Sequence, residues 1–262
     1  MSEHLDDQLE AQLPADKFRA WTKRPYIRHV FLIWLGLTIL FEIFGPVQAH
    51  LMGAPASEAM KAIEDTMSLF TYTAAPVAAL VISVVLYSIF GWRQPKGAGP
   101  SNESPAIKTN GPVTTAWVVI SSLLCVFLLI WGLGEMNSLA PRNNGVKPLV
   151  IDAIGNQWVW TFKYPDNGNI ESNQLYMPKD QPVVFHVSSV DVVHSLWIVQ
   201  LGVKIDANPE RVTLAHVTPT VIGRFDVRCA ELCGLYHAHM QTNAVVVSPD
   251  DFNTWVANGG HA

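Results

Sequence analysis

Charge is the scarcest property of this 262-residue chain: 15% of residues are Asp, Glu, Lys or Arg, against 49% apolar. Soluble domains usually carry ~25% charged residues, so a wholly soluble chain is excluded and buried membrane spans are implied. A strong charge of either sign is also missing. The formal net charge of −5 leaves no basic surplus to neutralise phosphates, which excludes nucleic acid as a partner. Cysteine is rare. Cys125, Cys229 and Cys233 are the only three, too few for a disulfide framework. No C-x-x-C-H occurs, so covalently attached haem is excluded as well. No internal repeat is visible.

What is present divides the chain in two. Residues 1–29 form a polar segment, with Lys17, Arg19, Lys23, Arg24 and Arg28 toward its end. An apolar run follows over residues 30–47, interrupted by Glu42. A membrane helix needs ~20 apolar residues, so this run is just long enough for a first span. A cleaved leader is the competing reading, but the polar part is long and no clean A-x-A site follows. Residues 69–92 and 113–134 carry no charge and predict a second and a third span. Pro76 lies in the second, where a membrane helix tolerates it.

Loop charge predicts the orientation. The basic residues before Val30 and the loop 93–112, with Arg93, Lys96 and Lys108, belong inside; the loop 48–68, with Glu58, Glu64 and Asp65 against Lys61, belongs outside. Residues 140–262 then lie on the outer face of a cell membrane, periplasmic or extracellular, in an oxidising compartment. That region is rich in Val, Ile and Phe, broken by Pro, Gly, Asn and Asp. Segments such as VVFHVSS, GVKID and TNAVVVS predict short strands spaced by turns. The fold class expected is membrane α plus all-β: three transmembrane helices followed by a β-sandwich or barrel. The only later helical pattern is DDFNTWVANG near the end.

The chemistry concentrates in CAELCGLYHAHM, Cys229 to Met240. A disulfide between Cys229 and Cys233 is one reading. His237 and Met240 follow at loop spacing, however, and His194 lies upstream in DVVHSLWI. Thiolate, imidazole and thioether together select a soft or borderline metal, copper above all. Zinc would take further Cys or His in place of Met. A mononuclear blue copper site needs one Cys, two His and a weak Met. The second cysteine allows two thiolates to bridge two ions.

These residues resemble the cytochrome c oxidase subunit II family. C-A-E-L-C-G-L-Y-H-A-H-M fits the family's CuA pattern C-x-E-x-C-x3-H-x2-M. Asp191 to Arg211 is similar to its ligand strand and following loop, and IGNQWVWTFKYP, Ile154 to Pro165, to its aromatic segment. The likeness runs from about Met60 to the C-terminus and includes the charge-free hairpin. It implies a cupredoxin-like β-sandwich holding a dinuclear copper (CuA) centre. Cys229 and Cys233 would bridge both ions. His194 and Met240 would complete one; His237 and the backbone carbonyl of Glu231 would complete the other. The Glu231 side chain would reach a magnesium ion at the contact with the catalytic subunit. Trp158 would receive the electron, although packing is the alternative for it.

The activity implied is that of the electron-entry subunit of a respiratory haem-copper cytochrome c oxidase, reducing oxygen to water in its catalytic subunit I. The implied partners are that subunit, other oxidase subunits, cytochrome c (free or complex-bound) and membrane lipid. A related nitric oxide reductase with a CuA subunit is the alternative, and a membrane-tethered copper carrier a third. Quinol-fed relatives typically lack the copper ligands. One departure concerns protons. If Trp117 is the family's Trp at the start of the last span, Thr114 stands where a carboxylate is usual and Ser121 where a Pro is usual; Glu103 or another subunit would then serve proton entry. Glu210 replaces the Gly that commonly follows the loop proline. His239 is expected at the surface or behind the ligands, His186 and His216 as structural residues, Cys125 in helix packing, and Trp160, Phe162 and Tyr164 in the core.

Overall fold

The protein is described from a computed structural model, over residues 25–45, 47, 51–91, 111–138 and 145–261. The polar segment up to residue 24, Arg93, Lys96, Glu103 and Lys108 lie outside the described residues. Two compact units divide the chain: residues 1–48 with 67–107, and residues 49–66 with 108–262.

Helix α1 is Pro25–Phe44, α2 is Glu58–Phe90 and α3 is Gly111–Ser138. All three are long and apolar enough to cross a membrane. In the first unit, α1 packs along the later part of α2. Trp34 donates its indole N–H to the Pro76 carbonyl at 2.8 Å. His29 and Tyr87 meet at 3.4 Å. Gly45 lies so close to Thr71 that a Cβ would have no room.

The helix boundaries differ from those expected. α2 begins at Glu58, so most of the anticipated loop 48–68 is its first three turns. The reason is local: EAMKAIEDTM contains good helix formers, and Ser57 caps them, its hydroxyl accepting from the Met60 N–H at 3.0 Å. Apolarity marks the membrane core, not the end of the helix. For the same reason α3 extends beyond 113–134 on both sides.

In the second unit, residues 149–247 form two five-stranded sheets. Sheet one has the order β3-β2-β1-β5-β8, with β1 Leu149–Asn156, β2 Val159–Tyr164, β3 Ile170–Ser172, β5 Val183–Ser189 and β8 Thr213–Val217. Sheet two has the order β4-β10-β9-β6-β7, with β4 Leu175–Pro178, β6 His194–Ile198, β7 Val203–Ala207, β9 Gly223–Cys229 and β10 Gln241–Val247. The pairs β1–β5 and β4–β10 are parallel; the other named pairs are antiparallel. Strands β1 and β5 alternate buried and half-buried residues, the period-2 signature of a sheet with one face on a core. Strands β1 to β4 were not among the segments singled out as strands in the sequence; β3 and β4 are short and lack that alternation.

The core lies between the sheets. Trp160, Phe162 and Tyr164 project into it from β2, with Ile151, Phe185, Leu196, Ile198 and Val246. The hydroxyl of Tyr164 ties the two sheets together. It donates to the Tyr176 carbonyl at 2.9 Å and accepts from the Tyr176 N–H at 2.7 Å. Helix α4, Pro249–Ala257, closes this end, with the Trp255 ring stacked on Tyr176 at 4.6 Å. The opposite ends of β6 and β9 carry the residues of interest.

Candidate metal centre

His194 opens β6 and is fully buried; Cys229 closes β9. Leu196 is registered against Cys229, so the two neighbouring strand ends present an imidazole and a thiol to one spot. The chain then leaves the sheet and returns at Met240, immediately before β10. The Cys229 N–H donates to the Met240 carbonyl at 3.0 Å, which closes the base of the loop. Gly234 sits in it at φ 122°. A Cβ there would come within 3.0 Å of Gln157 Nε2 and 3.3 Å of Trp158 Cζ2. Glycine lets the loop lie flat against the β1–β2 turn.

The donor atoms converge. Cys229 Sγ lies 3.8 Å from Cys233 Sγ and 3.8 Å from His194 Nδ1. Cys233 Sγ lies 3.6 Å from His237 Nδ1 and 3.8 Å from Met240 Sδ. The Glu231 carbonyl oxygen is 3.3 Å from Cys229 Sγ, while the Glu231 side chain is exposed. His194, Cys229 and Cys233 group within 4.8 Å as a potential metal site. Both thiols are free, and their separation is well beyond a disulfide bond of ~2.05 Å. Two sulfurs at the centre, one imidazole Nδ1 on each and a thioether beside them make a soft donor set, and the residues fit a thiophilic metal.

The surroundings hold this arrangement. Asp191 Oδ1 lies 2.8 Å from His194 Nε2, so the proton belongs on Nε2 and Nδ1 is left free to ligate. Burial pushes the Asp191 carboxyl up. The Gln157 N–H, the His194 ring, the Val192 N–H and the Ser189 hydroxyl outweigh it, and the net is a fall to about 2. Asp191 is therefore an anion at neutral pH. Burial pushes the Cys233 thiol up to about 11, with Cys229 adding to the effect. Without metal that thiol is protonated at neutral pH, and a metal must displace the proton to bind. Gln157 adds a strut, donating from Nε2 to the Cys233 carbonyl at 2.7 Å.

Trp158 is half-buried, not openly exposed. Its ring meets Tyr236 edge-on at 4.9 Å. Its packing against Gly234 joins it to the backbone between Cys233 and His237. Relay and packing are thus not exclusive at this position. Trp160, Phe162 and Tyr164 are core residues, and Trp160 stands 6.1 Å from the His194 ring, centre to centre. His239 is exposed, as anticipated; so is His216, while His186 pairs with Asp152 at 3.1 Å. Cys125 is exposed on α3. Sequence reasoning missed Asp191 and Gln157. A carboxylate three residues before a ligand histidine was the available signal for the first; the second had none.

A family model described as "Cytochrome C oxidase subunit II, periplasmic domain" matches residues 170–248. Cytochrome c oxidase subunit 2 of Thermostichus vulcanus is 32% identical over 237 residues, covering 86% of this chain and 69% of that one. Quinol oxidase subunit 2 of Bacillus subtilis is 27% identical over 223 residues, covering 84% and 69%. Among solved structures, the periplasmic domain of subunit II of cytochrome oxidase from Bradyrhizobium japonicum shares 31% identity, covering 46% of this chain and 96% of that one, with a TM-score of 0.43. With a relative this similar along most of both sequences, the chain belongs to the cytochrome c oxidase subunit 2 family.

Proposed function

We propose that the chain is the electron-entry subunit of a haem-copper cytochrome c oxidase. The observation that carries the reading is the meeting of Cys229 Sγ, Cys233 Sγ, His194 Nδ1, His237 Nδ1 and Met240 Sδ at separations of 3.6 to 3.8 Å. A dinuclear copper (CuA) centre bound there would accept one electron at a time from cytochrome c and pass it to the haem-copper subunit that reduces oxygen to water. Cys229 and Cys233 would hold both ions, with His194 and Met240 completing one and His237 and the Glu231 carbonyl completing the other.

The chain's own residues suit that task. Ligands at the ends of β6 and β9 are held by the sheet, so little rearrangement accompanies a change of charge. Asp191 fixes the tautomer of His194 and raises its basicity. Trp158, in contact with the ligand loop, offers a path from a docked cytochrome. Because Glu231 contributes only its backbone, its exposed carboxylate is free for a hard cation such as magnesium where the catalytic subunit docks. The quinol-fed reading of the Bacillus relative finds no support in a complete soft donor set. The β domain lies on the outer face of the inner membrane in this account, with lipid and the other oxidase subunits around the three helices.

The test is to purify the chain with whatever it carries from a membrane, and to assay haem, copper and oxygen uptake with reduced cytochrome c. Copper, haem and cytochrome-dependent oxygen consumption in one complex are expected. A preparation that holds copper but no haem partner would point to a carrier.

A further inference from the structure

The end of the β1–β2 hairpin touches both sides of the donor cluster. Gly155 is the last of the buried positions of β1. A Cβ there would lie 2.8 Å from Cδ2, 3.1 Å from Cγ and 3.3 Å from Cβ of His194. The imidazole thus occupies the space that glycine leaves open on β1. Trp160, registered against Gly155 across the hairpin, stands edge-on to the same ring. His194 is fully buried and tied to Asp191 through Nε2. In a close-packed interior such a ring cannot swing aside for a larger neighbour.

Gln157, two residues on, reaches both sides at once. Its backbone N–H donates to Asp191 Oδ2 at 2.7 Å, and the other oxygen of that carboxylate holds His194. Its side-chain Nε2 donates to the Cys233 carbonyl at 2.7 Å. The Val190 N–H donates to the Gly155 carbonyl at 3.1 Å, which pins the turn carrying Asp191 to the same strand. The segment of His194 therefore leans on the hairpin through Gly155, Val190 and Asp191, and the segment of Cys233 leans on it through the Gln157 side chain. The hairpin belongs to sheet one, whereas the ligand strands β6 and β9 belong to sheet two. Neither Gly155 nor Gln157 is among the converging donor atoms.

We propose that Gly155 and Gln157 are positioning residues that set the spacing between the two sides of the metal centre. Gly155 places the His194 ring and Gln157 places the Cys233 backbone, both from one hairpin end. The inference rests on the dinuclear centre proposed above. An electron shared equally by two ions needs two matched halves, and moving one half against the other favours one ion over its neighbour. The two residues can be perturbed separately. Gly155→Ala adds a methyl group that displaces the His194 ring. Gln157→Leu keeps the size of the side chain and the backbone N–H to Asp191, and removes only the bond to the Cys233 carbonyl. Ligands held by such outer bonds typically lose affinity for metal when the bonds are cut.

The experiment uses the full chain with Gly155→Ala, Gln157→Leu and, as a control, Asn156→Ala, whose exposed side chain lies between the two on the same hairpin. Copper binding is measured by competition with a chelator, and the loaded chains by electron paramagnetic resonance. Gly155→Ala and Gln157→Leu should each weaken copper binding by about 10- to 100-fold and turn a hyperfine pattern of two equivalent nuclei into one of two unlike nuclei. Asn156→Ala should match the native chain in both measurements. Native affinity and a native pattern in Gln157→Leu would overturn the proposal, also where Gly155→Ala fails to fold. An equal loss in Asn156→Ala would overturn it too, because the effect would then belong to the turn as a whole. Amide exchange in the metal-free native chain needs neither variant nor copper. The N–H groups of Gln157 and Val190, both in turns, should exchange as slowly as those of β1, and exchange at loop rates would contradict a fixed frame. A single cupric ion in the native chain would instead contradict the dinuclear reading, and the affinities and exchange rates would still decide whether the hairpin positions His194 and Cys233.

Discussion

Asp191 Oδ1 stands 2.8 Å from Nε2 of His194, and Nδ1 of the same ring stands 3.8 Å from the sulfur of Cys229. One imidazole therefore links an ionised carboxylate to the heart of the centre. Negative charge behind a ligand favours the more oxidised metal. Asp191→Asn, which keeps the shape and loses the charge, should raise the reduction potential and weaken copper binding about 10- to 100-fold. Potentiometric titration and copper competition measure the two effects; an unchanged potential would show that Asp191 serves only the loop.

Asp191 also marks where the sequence stopped being informative. The cysteines, His237 and Met240 were legible because one short loop carries them all, and their chemistry restricts what they can bind. His194 lies 35 residues before Cys229; it was visible as an upstream imidazole, and only resemblance gave it a ligand's role. Asp191 and Gln157 gain their roles only when the β5–β6 and β1–β2 turns fold onto the ligand loop, a tertiary event with no periodic trace. The three helices were legible from apolar length. The start of α2 was not, because it depends on Ser57 capping in a seam of the sandwich. Alternation placed Tyr164 among core candidates but gave no hint that its hydroxyl would hold Tyr176 in the other sheet.

That hydroxyl supports a prediction about stability. Tyr164→Phe leaves the Tyr176 N–H and carbonyl without their buried partner, at a cost of about 1–3 kcal/mol. Chemical denaturation with and without the substitution measures it.

Tyr164 also predicts a pH effect. Burial raises its pKa; the Tyr176 backbone lowers it to a lesser extent, and the Tyr176 charge adds to the rise. Its folded value thus lies above the ordinary ~10 of an unfolded chain. The folded state holds the proton more tightly, so this contribution is complete below pH ~10 and is lost as pH climbs beyond it. Thermal melting across that range should show a loss of stability that is smaller in Tyr164→Phe. Equal slopes in the two proteins would place the titrating group elsewhere.

Trp158 separates relay from packing. Trp158→Ala should slow reduction of the centre by cytochrome c while docking changes little; stopped-flow absorbance reads the first and equilibrium binding the second. Reduction at the native rate would make Trp158 a packing residue. Turnover with soluble cytochrome c should also fall as salt rises, since screening shortens from ~10 Å at 0.1 M to ~3 Å at 1 M. Insensitivity to salt would favour a donor held permanently in the complex.

The central claim is that Cys229 and Cys233 share two copper ions. Electron paramagnetic resonance of the copper-loaded chain tests it most directly. Two bridging thiolates should delocalise one spin over both ions and give the hyperfine pattern of two equivalent nuclei. Cys229→Ser and Cys233→Ser should each abolish it, whereas Met240→Leu should retain copper with an altered potential, as expected of a weak thioether ligand. The pattern of a single cupric ion in the native chain would contradict the account.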